Sequence, residues 1–121
     1  MTVEQIITKA ANIGLPIAYT EFRKTKTTPL PEPPYLIWLV IKEEDYGGDN
    51  SPNLLRRTEM AIELYTDRQP NKELERKIEL EVLHDIGFTK WQEMIDSEDM
   101  HQTAYNFTVL EKLRKGIKKH E

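Results

Sequence analysis

Three observations in the sequence predict an α+β fold: a largely antiparallel sheet of about five strands with two main helices packed on it. Two stretches carry helical spacing and readable caps. One run, Tyr35–Ile41, is apolar at every position. A third segment, Glu59–Tyr65, alternates strictly between apolar and polar or aromatic residues. Read in order, the elements are α-β-β-β-α-β-β.

The first helix starts at Thr2, where Thr2 and Gln5 have capping-box spacing. Val3, Ile6, Ile7, Ala10 and Ala11 fall on one face, Gly14 can take the left-handed stop, and Pro16 prevents continuation. A narrow stripe ending in alanines suits a helix lying close against a sheet. Ile17–Phe22 is rich in β-branched and aromatic residues and reads as a strand. The proline-rich segment Pro29–Pro34 can be neither helix nor central strand. Tyr35–Ile41 predicts the sheet's buried centre, covered on both faces. Glu43–Arg57 reads as a long polar loop, expected to be mobile in the isolated protein, around Gly47, Gly48, Asp49, Asn50, Ser51 and Pro52. In the next strand Met60, Ile62 and Leu64 point one way, Glu59, Ala61, Glu63 and Tyr65 the other. Asn71 N-caps a second helix to about His84, with Leu74, Ile78 and Val82 spaced along it and Gly87 as its stop. Phe88–Ile95 and Met100–Leu110 are the last two strands, joined by the acidic turn Asp96-Ser97-Glu98-Asp99. Tyr105, Phe107 and Val109 share a face of the final strand.

A chain of 121 residues supports one core, so residues 1–111 are expected to form a single domain and residues 112–121 a basic C-terminal tail. A short C-terminal helix, docked through Leu113 and Ile117, is the other reading of that end. The net charge is −4, but residues 112–121 carry +4, which leaves −8 on the rest. An acidic body with a short basic tail is a poor general nucleic-acid binder, because phosphate affinity grows with the number of charges neutralised. The N-terminus has no basic start or long apolar run, and the longest apolar run is far below the ~20 residues of a membrane helix. The expectation is a soluble, intracellular protein.

The search for chemistry returns little. There is no cysteine, which excludes thiolate nucleophiles and thiolate-bound zinc. Ser51 and Ser97 lie in predicted loops outside any nucleophile elbow, and His84, His101 and His120 are scattered. Asp45, Gly47, Asp49 and Asn50 superficially suggest a calcium loop, but Asn50 stands where glycine is required and Arg56 where a bidentate glutamate is required. The Asp96–Asp99 turn with His101 reads as a solvated turn. Glu63 could serve as a general acid only if a hydrophobic cleft surrounded it. No catalytic residue, cofactor or metal is expected.

The longest of several distinctive phrases is Met60-Ala-Ile-Glu-Leu-Tyr-Thr-Asp-Arg-Gln-Pro-Asn-Lys-Glu-Leu-Glu-Arg-Lys-Ile-Glu79. Others are Pro16-Ile-Ala-Tyr-Thr-Glu-Phe22, the Pro33-Pro34-Tyr35 strand entry, Asp45-Tyr-Gly-Gly-Asp-Asn50, Ser97-Glu-Asp-Met100 and Tyr105-Asn-Phe107. Together they resemble small tail-terminator, or tail-completion, proteins of long-tailed bacteriophages and prophages. The likeness extends to about Leu110 and omits the basic tail. It implies a non-enzymatic virion component at the head–tail joint, forming a ring, often a hexamer, that caps the tail tube and meets the head connector. Implied partners are further copies of the chain, tail-tube protein and head-connector protein. Phage DNA passes through such a ring without specific binding, and no membrane is involved. The implied location is the bacterial cytoplasm during assembly, then the virion. Tyr46, Asp49, Asn50, Leu54 and Tyr65 are the candidate assembly contacts. A different structural or adaptor module, such as a head-completion protein or a host interaction domain, is the alternative.

Overall fold

The longest strands, not the most apolar one, form the middle of the sheet. The computed structural model describes residues 1–24, 27–47 and 53–114. Helix α1 (Val3–Ala11) is followed by strands β1 (Ile17–Tyr19), β2 (Tyr35–Tyr46) and β3 (Asn53–Asp67), helix α2 (Lys72–Glu81), and strands β4 (Phe88–Ile95) and β5 (Met100–Arg114). A 3-10 turn at Asp96–Glu98 joins β4 to β5. The five strands lie in the order β1-β2-β3-β5-β4, with β1 parallel to β2 and every other pair antiparallel. This is the expected α+β architecture.

Local sequence sets both helices. Thr2 Oγ1 accepts the Gln5 N–H at 3.1 Å while the Thr2 N–H donates to Gln5 Oε1 at 2.8 Å, completing the capping box. Gly14, at φ +96°, takes the left-handed conformation just past the helix, which a side chain would strain. Asn71 Oδ1 accepts the Leu74 N–H at 3.0 Å and caps α2, which stops at Glu81 instead of His84.

Both helices cover the same face of the sheet. The core joins Ile6 and Ala10 of α1 and Ile78 of α2 to Met60, Ile62 and Leu64 of β3 and to Tyr105, Phe107 and Val109 of β5. Alternation along β3 then sends Ala61, Glu63 and Tyr65 to the other face, which carries no helix among the described residues.

Three expectations are corrected. Tyr35–Ile41 is not the sheet centre: β3 is, and Ile41 is 54% exposed. The reason is that β1 flanks only the first part of β2, and the pairing register slips between Val40 and Lys42, so the end of the apolar run has no cover. Glu43–Arg57 is not one long loop. Strands β2 and β3 continue through its two ends as a hairpin, pairing Glu43 with Thr58, Glu44 with Arg57, Asp45 with Arg56 and Tyr46 with Leu55. The acidic residues before the glycines face the basic residues after them. Arg56 grips Asp45 through two hydrogen bonds, 2.7 and 3.1 Å, and Arg57 bridges Glu59 at 2.8 Å and Glu44 at 3.4 Å. Cross-strand charge pairing therefore supplies what hydrophobic alternation does not. Finally, β5 passes Leu110 and reaches Arg114, pairing Leu113 with Leu54 and Lys112 with Leu55. The segment where a tail or short helix was expected thus begins as strand, and residues 115–121 lie outside the described residues.

These positions give a stability test. Leu64, fully buried on the central strand, should lose about 2–5 kcal/mol on truncation to alanine. Leu80→Ala, at a 60% exposed position of α2, should change stability by less than about 0.5 kcal/mol. Urea unfolding of both variants checks the assignment; equal effects would contradict this core.

Candidate functional site

The helix-free face of the sheet gathers polar and aromatic groups at the end where β2 begins and β3 finishes. Register places Tyr35 of β2 opposite Tyr65 of β3, and Tyr65 opposite Gln102 of β5. The two tyrosine rings stack with centroids 5.2 Å apart and planes 24° from parallel. Phe22, beyond the end of β1, meets Tyr35 edge-on at 5.2 Å. Leu30 and Pro31, from the proline-rich crossover, and Ile95, Glu98 and Met100, from the β4–β5 corner, complete a cleft of about 350 Å³. Thr20 and Glu21 stand at its rim. Thr20 has φ +64°, an unusual conformation for a β-branched residue, and the chain turns there from β1 toward the cleft.

The cleft's polar groups are ordered by hydrogen bonds. Tyr65 donates its hydroxyl proton to Glu63 Oε1 at 2.9 Å and accepts from Gln102 Nε2 at 3.1 Å. Tyr35 directs its hydroxyl at Met100 Sδ, 3.6 Å away. Burial, then the hydrogen bond to Glu63, pushes the Tyr65 phenol well above its usual range. Burial, with the nearby Glu98 charge, raises Tyr35 as well. Phenols so shifted stay neutral at physiological pH and serve poorly as general bases there. What the arrangement offers is recognition: stacked aromatic faces beside the carboxylates of Glu63 and Glu98, neither of which has an ion-pair partner among the described residues.

A second polar cluster lies on the helix-covered side, between α2 and β4. Glu75 of α2 is 1% exposed. Its Oε2 accepts from Gln92 Nε2 at 3.0 Å, and the Lys90 ammonium lies 2.8 Å from its Oε1, though off a hydrogen-bonding direction. Lys90 donates to Glu79 Oε2 at 2.7 Å, which also accepts from the buried Tyr105 hydroxyl at 2.7 Å. Burial works against the Glu79 carboxylate, but the hydrogen bonds from Lys90 and Tyr105 and the Lys90 charge outweigh it and hold its pKa low. Burial likewise opposes charge on Lys90, and the Glu75 and Glu79 carboxylates beside it raise its pKa regardless. With Lys72 also 3.8 Å from Glu75 Oε1 and Gln92 bonded to Thr103 at 3.0 Å, the cluster fastens α2 to the sheet edge. Sequence reasoning missed it; the trace it left is that Lys90 and Gln92 share the alternation of Phe88 on β4.

The candidate contacts expected from sequence are not gathered in one place. Tyr65 sits in the cleft, where it is half-buried. Tyr46 lies on the same face at the far end of the sheet, half-exposed, opposite Leu55. Leu54 points to the other face and pairs with Leu113. Asp49 and Asn50 lie outside the described residues. Among the described residues no group of three or more histidine, aspartate or glutamate side chains is arranged to hold a metal ion. No described helix is long and apolar enough to cross a membrane. Comparison with protein-family models and with curated protein sequences finds no match to this chain.

Two measurements test these sites. Because the native state holds the Tyr35, Tyr65 and Tyr105 phenols above the unfolded value, the unfolded chain releases those protons first as pH rises. Stability should therefore be steady between about pH 7 and 9 and fall above about pH 10, the ordinary phenol range, with a shallower fall in Tyr65→Phe. Denaturant titrations across pH 8–11 read this directly. For the second cluster, Lys90→Ala should cost about 2–3 kcal/mol by leaving buried Glu75 with only the exposed Lys72 at 3.8 Å, and Glu75→Gln in the same chain should recover part of it. A double-variant cycle measured by chemical unfolding gives the coupling.

Proposed function

We propose that this chain is a non-enzymatic assembly subunit of a phage or prophage virion, a tail terminator that forms a ring at the head–tail joint and caps the tail tube. The observation that carries this reading is the β4 edge. All of Phe88–Met94 is exposed, with Trp91 at 40% on the helix-free side, and among the described residues β4 pairs with β5 alone. An exposed eight-residue edge with aromatic and sulfur-containing side chains is a template for association, which natural monomers usually blunt by shortening, prolines or bulges. β1, at the opposite edge, is only three residues long. The two edges are therefore unlike, and a contact from the β4 edge of one copy to the β1 side of the next would be head-to-tail, the geometry from which closed rings arise.

The sequence resemblance supplies the biological setting, and the exposed groups fit it. Tyr46, Leu55 and Leu110 leave an apolar surface at the far end of the helix-free face, 50%, 46% and 64% exposed. Its neighbours include the charged Glu44, Arg57 and Glu59, so the surface is amphipathic and suits contacts that form and register on a template. A net charge of −4 opposes close approach of free copies, so a monomer in dilute solution fits this function too.

The deciding experiment adds the purified protein to phage tails made without a terminator. Tails should become uniform in length and competent to join heads, as seen by electron microscopy. Trp91→Glu, which places a charge on the exposed edge without entering the core, should abolish the effect while leaving the fold intact by circular dichroism. Unchanged tails at saturating protein would reject the terminator reading in favour of an adaptor or head-completion module.

A further inference from the structure

We infer that the aromatic cleft is a receptor for a cationic side chain, and that its occupant is the basic C-terminal segment of a neighbouring copy of this chain. The inference rests on the reading of the protein as a self-assembling subunit, and it names a contact between subunits.

The chemistry of the cleft selects a cation. Tyr35, Tyr65 and Phe22 all line the cavity as one aromatic cluster, and aromatic rings attract ammonium and guanidinium groups. Glu98 acts electrostatically on both phenols and Glu21 stands at the rim, whereas no lysine, arginine or histidine lines the cavity among the described residues. Glu21 has an ion pair with Arg23, 3.4 Å apart, but both side chains are mostly exposed, so that pair competes weakly. The apolar wall of Leu30, Ile37 and Ile95 suits the methylene stem of a long basic side chain, which packs on carbon while its head remains beside the carboxylates.

Charge and reach identify the occupant. Residues 112–121 carry +4 against −8 on the rest of the chain, and Lys115, Lys118 and Lys119 follow the last described residue of β5. The cleft lies at the Met100 end of β5, and Arg114 is at the other end of that 15-residue strand. A strand of that length spans about 45 Å at ~3.3 Å per residue. Lys119 is five positions past Arg114, so it extends no more than ~18 Å from it even when fully stretched. A subunit's own lysines therefore fall well short of its own cleft. Only another copy can bring them there, and a contact that joins one end of a subunit to the other end of its neighbour is again head-to-tail.

The absence of cysteine makes a direct test possible in the full-length chain. Glu21→Cys places a thiol at the cleft rim, and Lys118→Cys places one in the basic segment. When the two variants are mixed at high protein concentration and oxidised, a disulfide-linked heterodimer should form several-fold more than from Lys118→Cys mixed with Lys9→Cys, an exposed position on α1. Its yield should drop several-fold when Glu98→Gln is added to the cleft variant, and also as salt is raised. Circular dichroism of each variant verifies folding. Yields equal to the Lys9→Cys control, or indifferent to Glu98→Gln, would overturn the inference. Uniform capped tails without this cross-link would place the ring contacts elsewhere; the cross-link without capping would retain the contact and reject the terminator function.

Discussion

The alternation of side chains along β3 is the constraint on which the rest of this structure depends. Strand β3 is paired on both sides and has no freedom to slip, because Met60, Ile62 and Leu64 must all meet the helices together. Once those residues are buried, Ala61, Glu63 and Tyr65 are committed to the opposite face. The helix-free face, its stacked tyrosines and its cleft are consequences of that single choice of register. A one-residue shift would place Glu63 against Ile6 and Ile78 in the core and leave Ile62 in water.

The two ends of the sheet are stabilised by different physics. Near α2 the edge strand is tied by buried charge: Glu75 lacks access to water, so Lys90 and Gln92 must satisfy it from β4. That fastening explains how β4 is held in place despite exposing nearly its whole length. At the hairpin end little is buried and the pairing is salt-linked, with Arg56 on Asp45 and Arg57 between Glu44 and Glu59. Pairing of that type is sensitive to ionic strength, so the hairpin end responds to salt while the helix-covered core does not.

The helix-free face unites the functional arguments. It carries the cleft at one end and Tyr46, Leu55 and Leu110 at the other, and Trp91 of the β4 edge belongs to the same side. A face with separate apolar and carboxylate-rich regions, bounded by two unlike edges, favours directional contacts between identical copies over a single symmetric one. The phenols in its cleft are held neutral, which suits an unchanging recognition surface across the physiological pH range.

The sequence by itself determined the parts governed by short-range rules. Thr2 with Gln5, Asn71, and Gly14 fixed the helix ends through caps and backbone conformation. The alternation in Glu59–Tyr65 and in Tyr105, Phe107 and Val109 fixed which residues entered the core, and Phe88–Ile95 is strand as its composition indicates. What depends on neighbours in space was decided only by tertiary structure. Tyr35–Ile41 resembles a central strand because it is apolar throughout, yet strand order depends on pairing partners, and β1 proved too short to cover it. Glu43–Arg57 resembles a loop because charge pairing across a hairpin joins residues up to thirteen positions apart, a relation that local periodicity does not contain. The site was legible only in part. Tyr65 could be placed on the accessible face, but its stacking on Tyr35, its bond from Gln102 and the proximity of Glu98 bring together four elements distant in sequence, and packing alone sets those distances.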